Sequence, residues 1–599
     1  MPSPLTCRLA DADEQIAAQK AAIARFEAAL WADGFDEKLL ASYQSAWRRL
    51  EALLERHGER ERHRFVVVIP VADSPVHLRD CLASLLELCN AYGYGGLRDG
   101  RWHKVSVLLA DDSGDADAIA RHRAIAADFT RRGLVVEYFG LAEQLALMDG
   151  LADLDLSAIV GRHPREAFHH KGQAMTRNIA YLKCAALQAA NPDEPLLVYT
   201  LDADQEFRVN VATPEGPRGV CAVNFLHHLD AIFADPAVEV LTGKVVGDPP
   251  VSPSVMAGNF LEDVLGFLHE MASSSPDAPY RQPHAGGGGD AAYHDMADLF
   301  GFKPAGQPYR FHCPLPGTLD NAACFAAFAA RLNSFFHGEH PTRITWYQPA
   351  DPAASVQPAR TVYTGNYVFR PAALRWFIPF APLRLRMSGP TMGRMLQAEM
   401  GAGFVSANLP MLHKRTLEAT GQSEFRPGVH DASRAVDLCD ESERQFHGDV
   451  MLFAMQRLAA LGYPRAALPE SLVDQTLAEL RAEMRERYHA KQQAILQRLD
   501  LLTTVLRDPN GWWHAHPELA EANAAFESFA ANIARNFAAD SPCQARLDAA
   551  ARCEDWHARQ RAAILGLHAD RQAWNAALAR LGLPSPAGGG AGGEGATHA

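Results

Sequence analysis

The sequence predicts an α/β fold with a largely parallel, doubly wound sheet, on two observations. Short runs rich in Val, Ile and Leu recur at residues 65–70, 105–110 and 134–138, as expected of strands covered on both faces. Amphipathic stretches at residues 77–88 and 116–131 separate these runs and predict helices. Strands that alternate with helices favour right-handed crossovers, which place the strands side by side and parallel.

The size and charge of the chain exclude some classes of protein. With 599 residues, the chain is too long for a single hydrophobic core, which predicts about two to four domains. Its hydrophobic share of 48% and charged share of 21% are those of an ordinary globular protein. The formal net charge of −14 argues against a nucleic-acid binder, because such a protein needs cationic residues to neutralise phosphates.

The cysteines and the N-terminus predict a soluble, cytoplasmic protein. The ten cysteines are scattered with no Cys-x-x-Cys pair, which indicates reduced thiols, not a zinc ribbon or a disulfide framework. Residues 1–4 do not begin a basic-then-apolar signal. No window approaches the roughly 18 apolar residues of a membrane span, so no membrane-spanning segment is expected.

The first 60 residues predict a helical hairpin. Apolar side chains recur at spacings of three, four and seven residues, for example at Ile16, Ile23, Phe26 and Leu30, which keeps them on one helix face. A break near residue 34 precedes a second helical run. We expect residues 1–60 to dock on the main domain without a chemical role.

Carboxylates follow two of the predicted strands. Asp111 and Asp112 come directly after the second strand, and Asp202 and Asp204 follow a further apolar run at residues 197–201. Ligands of open α/β sheets collect outside the carboxyl ends of the strands. Two carboxylates one residue apart bind a hard divalent cation and leave positions for diphosphate oxygens and water. Asp111 and Asp112 are also suited to capping the next helix.

The rest of the chain divides by composition. Residues 260–360 are predicted to be an insertion, and the glycine-rich stretch at 284–290 a flexible lid or linker, since no Lys-Ser/Thr follows as in a P-loop. The histidines of residues 336–341 lack zinc-protease spacing, so we expect no metal site there. Residues 431–583 predict an all-helical C-terminal domain, and residues 584–599 a disordered tail.

Four segments, taken together, resemble a known family. Residues 65–73, 108–115, 171–178 and 201–204 follow one another in the order and approximate spacing of a GT-A glycosyltransferase, and look most like the family 2 nucleotide-sugar transferases. This resemblance implies a Rossmann-like GT-A domain at residues 61–430, with a mixed sheet and helices on both faces. It also implies that the two acidic strand ends belong to one nucleotide-sugar site.

The resemblance assigns roles to individual residues. It places the nucleoside against Pro70, Val71 and Asp73, with Asp111 or Asp112 as the carboxylate of that pocket. It places the remaining donor-binding and metal-binding groups at Lys171, Arg177, Asp202 and Asp204. Lys171 is equally explained as a surface lysine. Lys244, in a glycine-containing stretch, is expected either at the donor diphosphate or in a plain turn.

The sequence departs from the family where the catalytic base is expected. The family carries a Glu-Asp pair that opens a helix, whereas residues 387–394 read Met-Ser-Gly-Pro-Thr-Met-Gly-Arg. A base must lie within hydrogen-bond reach of the acceptor hydroxyl. For an inverting enzyme, Asp320 and Glu399 are the candidates that the sequence offers. A retaining enzyme needs no such base.

A histidine completes the predicted metal site. His413 matches in position the histidine that some GT-A enzymes supply as a further ligand. An imidazole with Asp202 and Asp204 suits Mn²⁺ or Mg²⁺, with the diphosphate completing the coordination. The alternative is a core or surface histidine without a metal.

The sequence therefore predicts a metal-dependent glycosyltransferase, with hexosyl transfer expected. The donor would be a nucleotide-diphospho-sugar, and the acceptor a hydroxyl of a carbohydrate, a lipid-linked molecule or a small molecule. Two alternatives stay open: a sugar-phosphate nucleotidylyltransferase, whose glycine-rich signature after the first strand is absent, and a non-catalytic nucleotide- or sugar-binding protein. We expect any homodimer to form through the helical regions.

Overall fold

The fold is taken from a computed structural model. It describes residues 4–57, 61–213, 216–249, 252–283, 310–315, 317–362, 365–417, 424 and 435–583. The flexible segment predicted at 284–290 and the disordered tail predicted at 584–599 lie outside the described residues.

Helices stand at both ends of the described part of the chain and alternate with strands between them. In chain order they are α1 (Pro4–Leu30), α2 (Glu37–His57), α3 (Pro75–Tyr92), α4 (Ala116–Arg131), α5 (Leu141–Asp149), α6 (Ser157–Val160), α7 (Gln173–Ala190), α8 (Phe225–Ile232), α9 (Pro253–Ala272), α10 (Asn321–Ala329), α11 (Ser388–Met400), α12 (Cys439–Ala460), α13 (Glu470–Leu506), α14 (Ala520–Phe537), α15 (Pro542–Asp548) and α16 (Ala550–Arg580). Among the described residues, no helix combines the length and apolarity that crossing a membrane requires.

The strands fall between α2 and α12. They are β1 (Arg64–Val71), β2 (Leu97–Arg98), β3 (Arg101–Trp102), β4 (Val105–Asp111), β5 (Val135–Phe139), β6 (Leu196–Leu201), β7 (Gln205–Glu206), β8 (Val209–Thr213), β9 (Gly216–Val220), β10 (Val240–Gly247), β11 (Gln357–Pro358), β12 (Asn366–Phe369) and β13 (Phe404–His413). The first three long strands and β6 coincide with the predicted ones to within about one residue, as expected where the apolar pattern is strong.

Nine strands of the described residues form one mixed sheet. Its order is β11-β13-β10-β12-β6-β1-β4-β5, and β7 pairs with β13. Strands β6, β1, β4 and β5 are parallel, as are β10 and β13, whereas β12 runs antiparallel between β6 and β10. The predicted GT-A-like α/β architecture is therefore confirmed in the strand order.

Helices cover both faces of this sheet, as predicted. Successive side chains of a strand point to opposite faces. Phe65, Val67 and Ile69 of β1 accordingly pack into one core with apolar residues of α2 and α3, and Val66 and Val68 into a second core with α7, α12 and α16. The C-terminal helices thus share a core with the sheet.

A third core joins the insertion to the C-terminal helices. Phe260 of α9 stacks on Phe335 with ring centroids 4.7 Å apart, and meets Phe529 of α14 edge-on at 5.4 Å. All three side chains are fully buried. The insertion is therefore held between the sheet and the predicted C-terminal domain, beside the carboxyl edge of the strands.

A buried charge network attaches the N-terminal hairpin to the sheet. Glu51 of α2 accepts hydrogen bonds from Arg62 Nη1 at 2.8 Å and from His227 Nδ1 at 2.7 Å. Arg62 also donates through Nε to Asp230 at 2.6 Å. Burial raises the pKa of Glu51, but His227 and Arg62 outweigh it and hold this pKa below its ordinary value.

We predict that Glu51→Ala lowers the free energy of unfolding by about 3 kcal/mol, because the buried Arg62 and the half-buried His227 would each lose a partner. Glu55→Ala, one turn further along α2, is the matched control. Its carboxylate is 27% exposed and pairs with the exposed Arg98, so about 0–1 kcal/mol is expected. Urea unfolding followed by circular dichroism measures both, and equal midpoints for the two variants would contradict the prediction.

Candidate functional site

A cavity of about 430 Å³ opens at the carboxyl edge of the sheet. The ends of β1, β4 and β6 and the start of α7 form its floor, as expected for a doubly wound sheet. We call it the edge cavity; its lining residues are Pro70, Val71, Ala72, Asp112, His170, Gly172, Gln173, Thr176, Asp202, Ala203, Asp204, Pro253, His337, Gly338, Arg386, Arg415 and Glu441. Five of the residues predicted from the sequence to bind the donor or metal, Pro70, Val71, Asp112, Asp202 and Asp204, are among them.

Of the two carboxylates after β4, Asp112 lines the edge cavity. Its Oδ1 accepts from Lys171 Nζ at 2.5 Å, and its Oδ2 accepts from the backbone N–H of Gly172 at 3.1 Å. Asp111 instead turns into the protein, where it accepts from Tyr138 Oη at 2.8 Å and His122 Nδ1 at 3.0 Å. Asp111 therefore orders the strand end.

Lys171 is a structural partner of Asp112. Its side chain is fully buried, also donates to the carbonyl of Phe168 at 3.1 Å, and lines neither this cavity nor the one described below. Burial lowers the pKa of Lys171, and the attraction of Asp112 counteracts part of that shift. The lysine thus fixes the orientation of the Asp112 carboxylate.

Asp73 lies beside the edge cavity. Its φ of 51° is unusual for a residue with a side chain, and its Oδ2 is 2.5 Å from His170 Nε2. Burial raises the pKa of Asp73. The hydrogen bonds from His170 and from the backbone N–H of Asp115 outweigh this effect and hold the pKa below its ordinary value. Asp73 therefore positions His170, which lines the cavity.

Asp202 is held by side chains of α7. Its Oδ1 accepts from Gln173 Nε2 at 2.5 Å and contacts Arg177 Nη2, whose side chain is almost completely buried. The backbone N–H of Asp202 donates to Gln205 Oε1 at 3.0 Å. Arg177 therefore acts on the predicted carboxylate pair by orienting Asp202.

Asp204 and His413 meet although 209 residues separate them. In the sheet, His413 pairs with Gln205 of β7, the residue after Asp204, and with Gly247 of β10. Gly247 has a φ of 86°, and a Cβ there would lie 2.6 Å from the His413 carbonyl oxygen, so only glycine fits this approach. The strand register thus places His413 beside the end of β6.

The hydrogen bonds of His413 leave an acceptor facing an acceptor. Nδ1 lies 2.5 Å from the carbonyl oxygen of Asp248, so Nδ1 carries the hydrogen and donates. Nε2 of the neutral ring is then an acceptor, yet it lies 3.1 Å from Asp204 Oδ2. A proton on Nε2 or a cation between the two atoms is needed to make this contact favourable.

These two groups fit a divalent cation. Metal ligands with bonds of about 2.1 Å at right angles lie about 3 Å apart, close to the observed separation, and the backbone bond at Nδ1 fixes the ring as in many metal-binding histidines. Asp202 does not join them. Among the described residues, the one group of three ligand atoms within 4.8 Å of each other is Asp437, Cys439 and Cys543.

Arg415 adds positive charge beside Asp204. Its Nη1 donates to Asp204 Oδ2 at 2.9 Å, and its backbone N–H donates to Asp248 Oδ2 at 3.0 Å. Its Nε is buried without a hydrogen-bond partner among the described residues. Burial raises the pKa of Asp204, but a proton on the His413 ring and the charge of Arg415 hold this pKa far below its ordinary value.

Three other predicted residues lie away from the edge cavity. Strand β10 continues through the turn expected near Lys244, which is therefore a strand residue. Asp320 caps α10 by accepting from the Ala323 N–H at 2.7 Å, and Glu399 of α11 pairs with Arg571. None of the three lines the edge cavity or the cavity described next.

The sequence analysis missed residues that the insertion and the C-terminal helices bring to the edge cavity. His337 and Gly338 come from the insertion, and Glu441 from the first turn of α12, where Ser252 Oγ donates to its Oε1 at 2.5 Å. A signal for Glu441 did exist. Asp440 and Glu441 are an acidic pair that opens a helix, in the reverse order of the Glu-Asp pair expected at residues 387–394 and about 50 residues further along the chain.

A second cavity of about 350 Å³ adjoins the first at Gly172, Gln173, Asp202, Arg386 and Arg415. We call it the arginine cavity; its lining residues are Gly172, Gln173, Ala174, Met175, Arg177, Asp202, Gln205, Ser252, Val362, Ala381, Arg384, Leu385, Arg386, Met387, Ser388, Gly389, Pro390, His413, Arg415, Arg444 and Gln445. The two cavities together form a continuous cleft across the carboxyl edge.

The fold and this cleft define a GT-A-like α/β protein, so the resemblance seen in the sequence is confirmed at the level of the fold. No protein-family model and no curated protein matches the chain. A solved structure that it resembles is the mannosyltransferase PcManGT from Pyrobaculum calidifontis in complex with GDP-Man and Mn²⁺, with 10% identity, coverage of 87% of this chain and 99% of that chain, and a TM-score of 0.29.

A second solved structure is S. aureus TarS 1–349. Its identity is 12%, the match covers 84% of this chain and 91% of that chain, and the TM-score is 0.24. At these TM-scores neither structure supports an argument about the activity of this chain, which must come from the geometry of the cleft.

We predict that Gly365→Ala weakens ligand binding in the cleft. A Cβ at Gly365 would lie 2.5 Å from Asp202 Oδ2 and 2.7 Å from Gln205 Oε1, so the Asp202 carboxylate must leave the position in which Arg177 and Gln173 hold it. Displacing the groups that support a metal site lowers its affinity for the metal by about 10- to 100-fold. Calorimetry with UDP and GDP in the presence of Mn²⁺ measures the change.

Gly150→Ala is the control for this variant. Gly150 has a helical φ of −66°, and its nearest neighbour would be 3.4 Å from the added Cβ. It is expected to bind as the unchanged protein does. Equal affinity of the Gly365 and Gly150 variants would show that the position of Asp202 does not matter for binding.

Proposed function

We propose that this protein is a metal-dependent glycosyltransferase that moves a sugar, expected to be a hexose, from a nucleotide-diphospho-sugar to an acceptor hydroxyl. The observation that carries the proposal is the contact between Asp204 and His413. It combines a buried carboxylate and a correctly oriented imidazole at the carboxyl edge of the sheet, next to a cavity large enough for a nucleotide.

The nucleoside would lie between the end of β1 and Asp112. Pro70 and Val71 give this part of the cavity an apolar wall. Asp112 accepts only two hydrogen bonds among the described residues, whereas a carboxylate offers about four acceptor positions. The remaining positions suit the hydroxyls of a ribose or the N–H groups of a base.

The diphosphate would lie at the start of α7. This helix begins at Gln173 after Gly172, has no side-chain cap at its N-terminus, and is 18 residues long. Its first backbone N–H groups and its dipole favour an anion at this position. Arg415, with a buried Nε that lacks a partner among the described residues, would donate to the same phosphates.

Asp204 and His413 would hold Mn²⁺ or Mg²⁺. Arg177 and Gln173 would orient Asp202 toward the bound donor and its cation. When bound, such a cation stabilises negative charge on the departing diphosphate. Arg415 would stabilise the same charge directly, by a charge-assisted hydrogen bond from its guanidinium.

Glu441 is our candidate for the base that the sequence analysis sought. In the transfer, the acceptor oxygen bonds to the anomeric carbon, and the bond from that carbon to the diphosphate oxygen breaks. The bonding electron pair leaves with the nucleoside diphosphate, and the acceptor proton passes to the Glu441 carboxylate. This assignment makes the enzyme inverting, and its support is that Glu441 lines the edge cavity.

No observation favours the two alternative functions. The loop after β1 reads Val-Ala-Asp-Ser-Pro, without the glycine-rich signature of a nucleotidylyltransferase. A non-catalytic binding protein could use the Asp204–His413 contact in the same way, and turnover of the donor separates it from a transferase. The cytoplasmic location and the homodimer through the helical regions stay predictions.

We predict that Asp204→Asn abolishes metal-dependent nucleotide binding. A ligand that binds only the folded protein raises its melting temperature by mass action. UDP or GDP with Mn²⁺ should therefore stabilise the unchanged protein by a few degrees, but not this variant. Asp193→Asn, an exposed aspartate before β6, should keep the full shift.

A nucleotide shift that survives in the Asp204 variant, or that needs no metal, would contradict the metal assignment. The absence of any shift in the folded, unchanged protein would mean that the fold is not used for nucleotide-sugar chemistry.

We predict that Glu441→Gln slows release of the nucleoside diphosphate from the donor sugar by about 10²- to 10⁴-fold, since the amide cannot accept the proton. Water serves as the acceptor in this assay, which high-performance chromatography follows. Asp440→Asn, the exposed neighbour in the same helical turn, is the control. Donor affinity should be unchanged in both variants, and an unchanged rate for Glu441→Gln would remove it as the base.

A further inference from the structure

We propose that the arginine cavity binds a phosphate group of the acceptor, so that the acceptor is an anionic, phosphate-bearing molecule. This rests on the proposed function, because it specifies the second substrate of that reaction. The proposal follows from the charge of the cavity, from the way its arginines are held, and from its position beside the edge cavity.

The arginine cavity is strongly cationic in a protein whose formal net charge is −14. Among its described lining residues the one carboxylate is Asp202, already in contact with Arg177. The guanidinium groups that line it are those of Arg177, Arg384, Arg386, Arg415 and Arg444, of which Arg415 is also paired with Asp204. Clustered guanidinium groups repel one another, and a multiply charged oxyanion with which they form paired hydrogen bonds relieves that repulsion.

Backbone contacts hold two of these arginines in place. Arg444 Nε of α12 donates to the Arg384 carbonyl oxygen at 2.5 Å, and Arg384 Nη2 donates to the His170 carbonyl oxygen at 2.8 Å. No described carboxylate lies within 4.0 Å of the Arg384 guanidinium, and Arg444 approaches Asp440 only at 3.6 Å. These contacts orient both arginines; the exposed Asp440 compensates part of the charge of Arg444, and Arg384 is paired with no described carboxylate.

The wall of the cavity supplies further donors. Helix α11 is 13 residues long and begins at Ser388 in the cavity, with no side-chain cap. The N–H groups of Ser388 and Gly389 and the helix dipole favour an anion, whereas Pro390 has no N–H to donate. Phe380, Arg384 and Met387 in the preceding segment have φ values of 58°, 50° and 66°. Such strained backbone persists where the surrounding structure enforces it, commonly at binding sites.

The position of these arginines favours binding of the acceptor over binding of the donor. The donor diphosphate is accounted for by the start of α7, the Asp204–His413 contact and Arg415. Arg384 and Arg444 line the arginine cavity but not the edge cavity. A phosphate bound between them would leave a hydroxyl of the same molecule able to reach the boundary of the two cavities, where the sugar is transferred.

The test uses the full-length protein and the double variant Arg384→Gln, Arg444→Gln. Arg131→Gln, Arg507→Gln, which changes two arginines on exposed helix ends, is the control. Calorimetry compares glycerol 3-phosphate with glycerol, in the presence of Mn²⁺ and the nucleoside diphosphate that stabilises the protein. The unchanged protein and the control should bind glycerol 3-phosphate but not glycerol, and the double variant should bind it about tenfold or more weakly.

Two further measurements separate the possible outcomes. The metal-dependent nucleotide shift should be the same in the double variant, which shows that the donor site and the fold are intact. Co-sedimentation with phosphatidylcholine vesicles, with and without phosphatidic acid, distinguishes a lipid-borne phosphate from a soluble one. Arginine-dependent binding of either probe supports the proposal.

The proposal is overturned if the unchanged protein binds neither glycerol 3-phosphate nor phosphatidic acid vesicles, or if the double variant binds them equally well. The proposed function fails separately, if no nucleotide shifts the melting temperature. In that case glycerol 3-phosphate is titrated without nucleotide, and arginine-dependent binding still establishes the anion site.

Discussion

The contact between Asp204 and His413 is the interaction on which the rest of the cleft depends. It sets two acceptors 3.1 Å apart, since His413 uses its Nδ1 hydrogen on the Asp248 carbonyl. A cation at this point, or a proton on His413 Nε2, resolves the conflict, and Arg415 supplies further positive charge close to the end of the same strand. An anionic ligand that bridges α7 and β13 would then find most of its partners already oriented.

The mixed sheet makes this contact possible. Strand β12 runs antiparallel between β6 and β10, and β13 pairs in parallel with β10, so the ends of β6 and β13 reach the same edge. The insertion and α12 then close the cleft from the opposite side with His337 and Glu441. The buried core shared by the insertion and the C-terminal helices includes Phe336 and Leu438, which lie close to these two residues in the chain.

Sequence reasoning succeeded where the signal was local. The apolar runs predicted β1, β4, β5 and β6, and the residues that follow β1, β4 and β6 line the edge cavity. It could not show that Lys171 and Arg177, which were expected to bind the donor, hold Asp112 and Asp202 in place. Asp320 shows an ambiguity of the sequence, because capping and catalysis favour the same residue type. The position of Glu441 and Arg444 in the cleft depends on long-range packing of α12, which the acidic pair at the start of that helix does not reveal by itself.

The most direct test of this account is anomalous X-ray diffraction from crystals grown with Mn²⁺ and the nucleoside diphosphate that stabilises the protein. The account predicts a manganese peak about 2.2 Å from both Asp204 Oδ2 and His413 Nε2, with the diphosphate at the start of α7. A nucleotide bound without manganese at this position, or manganese found only at Asp437, Cys439 and Cys543, would contradict it.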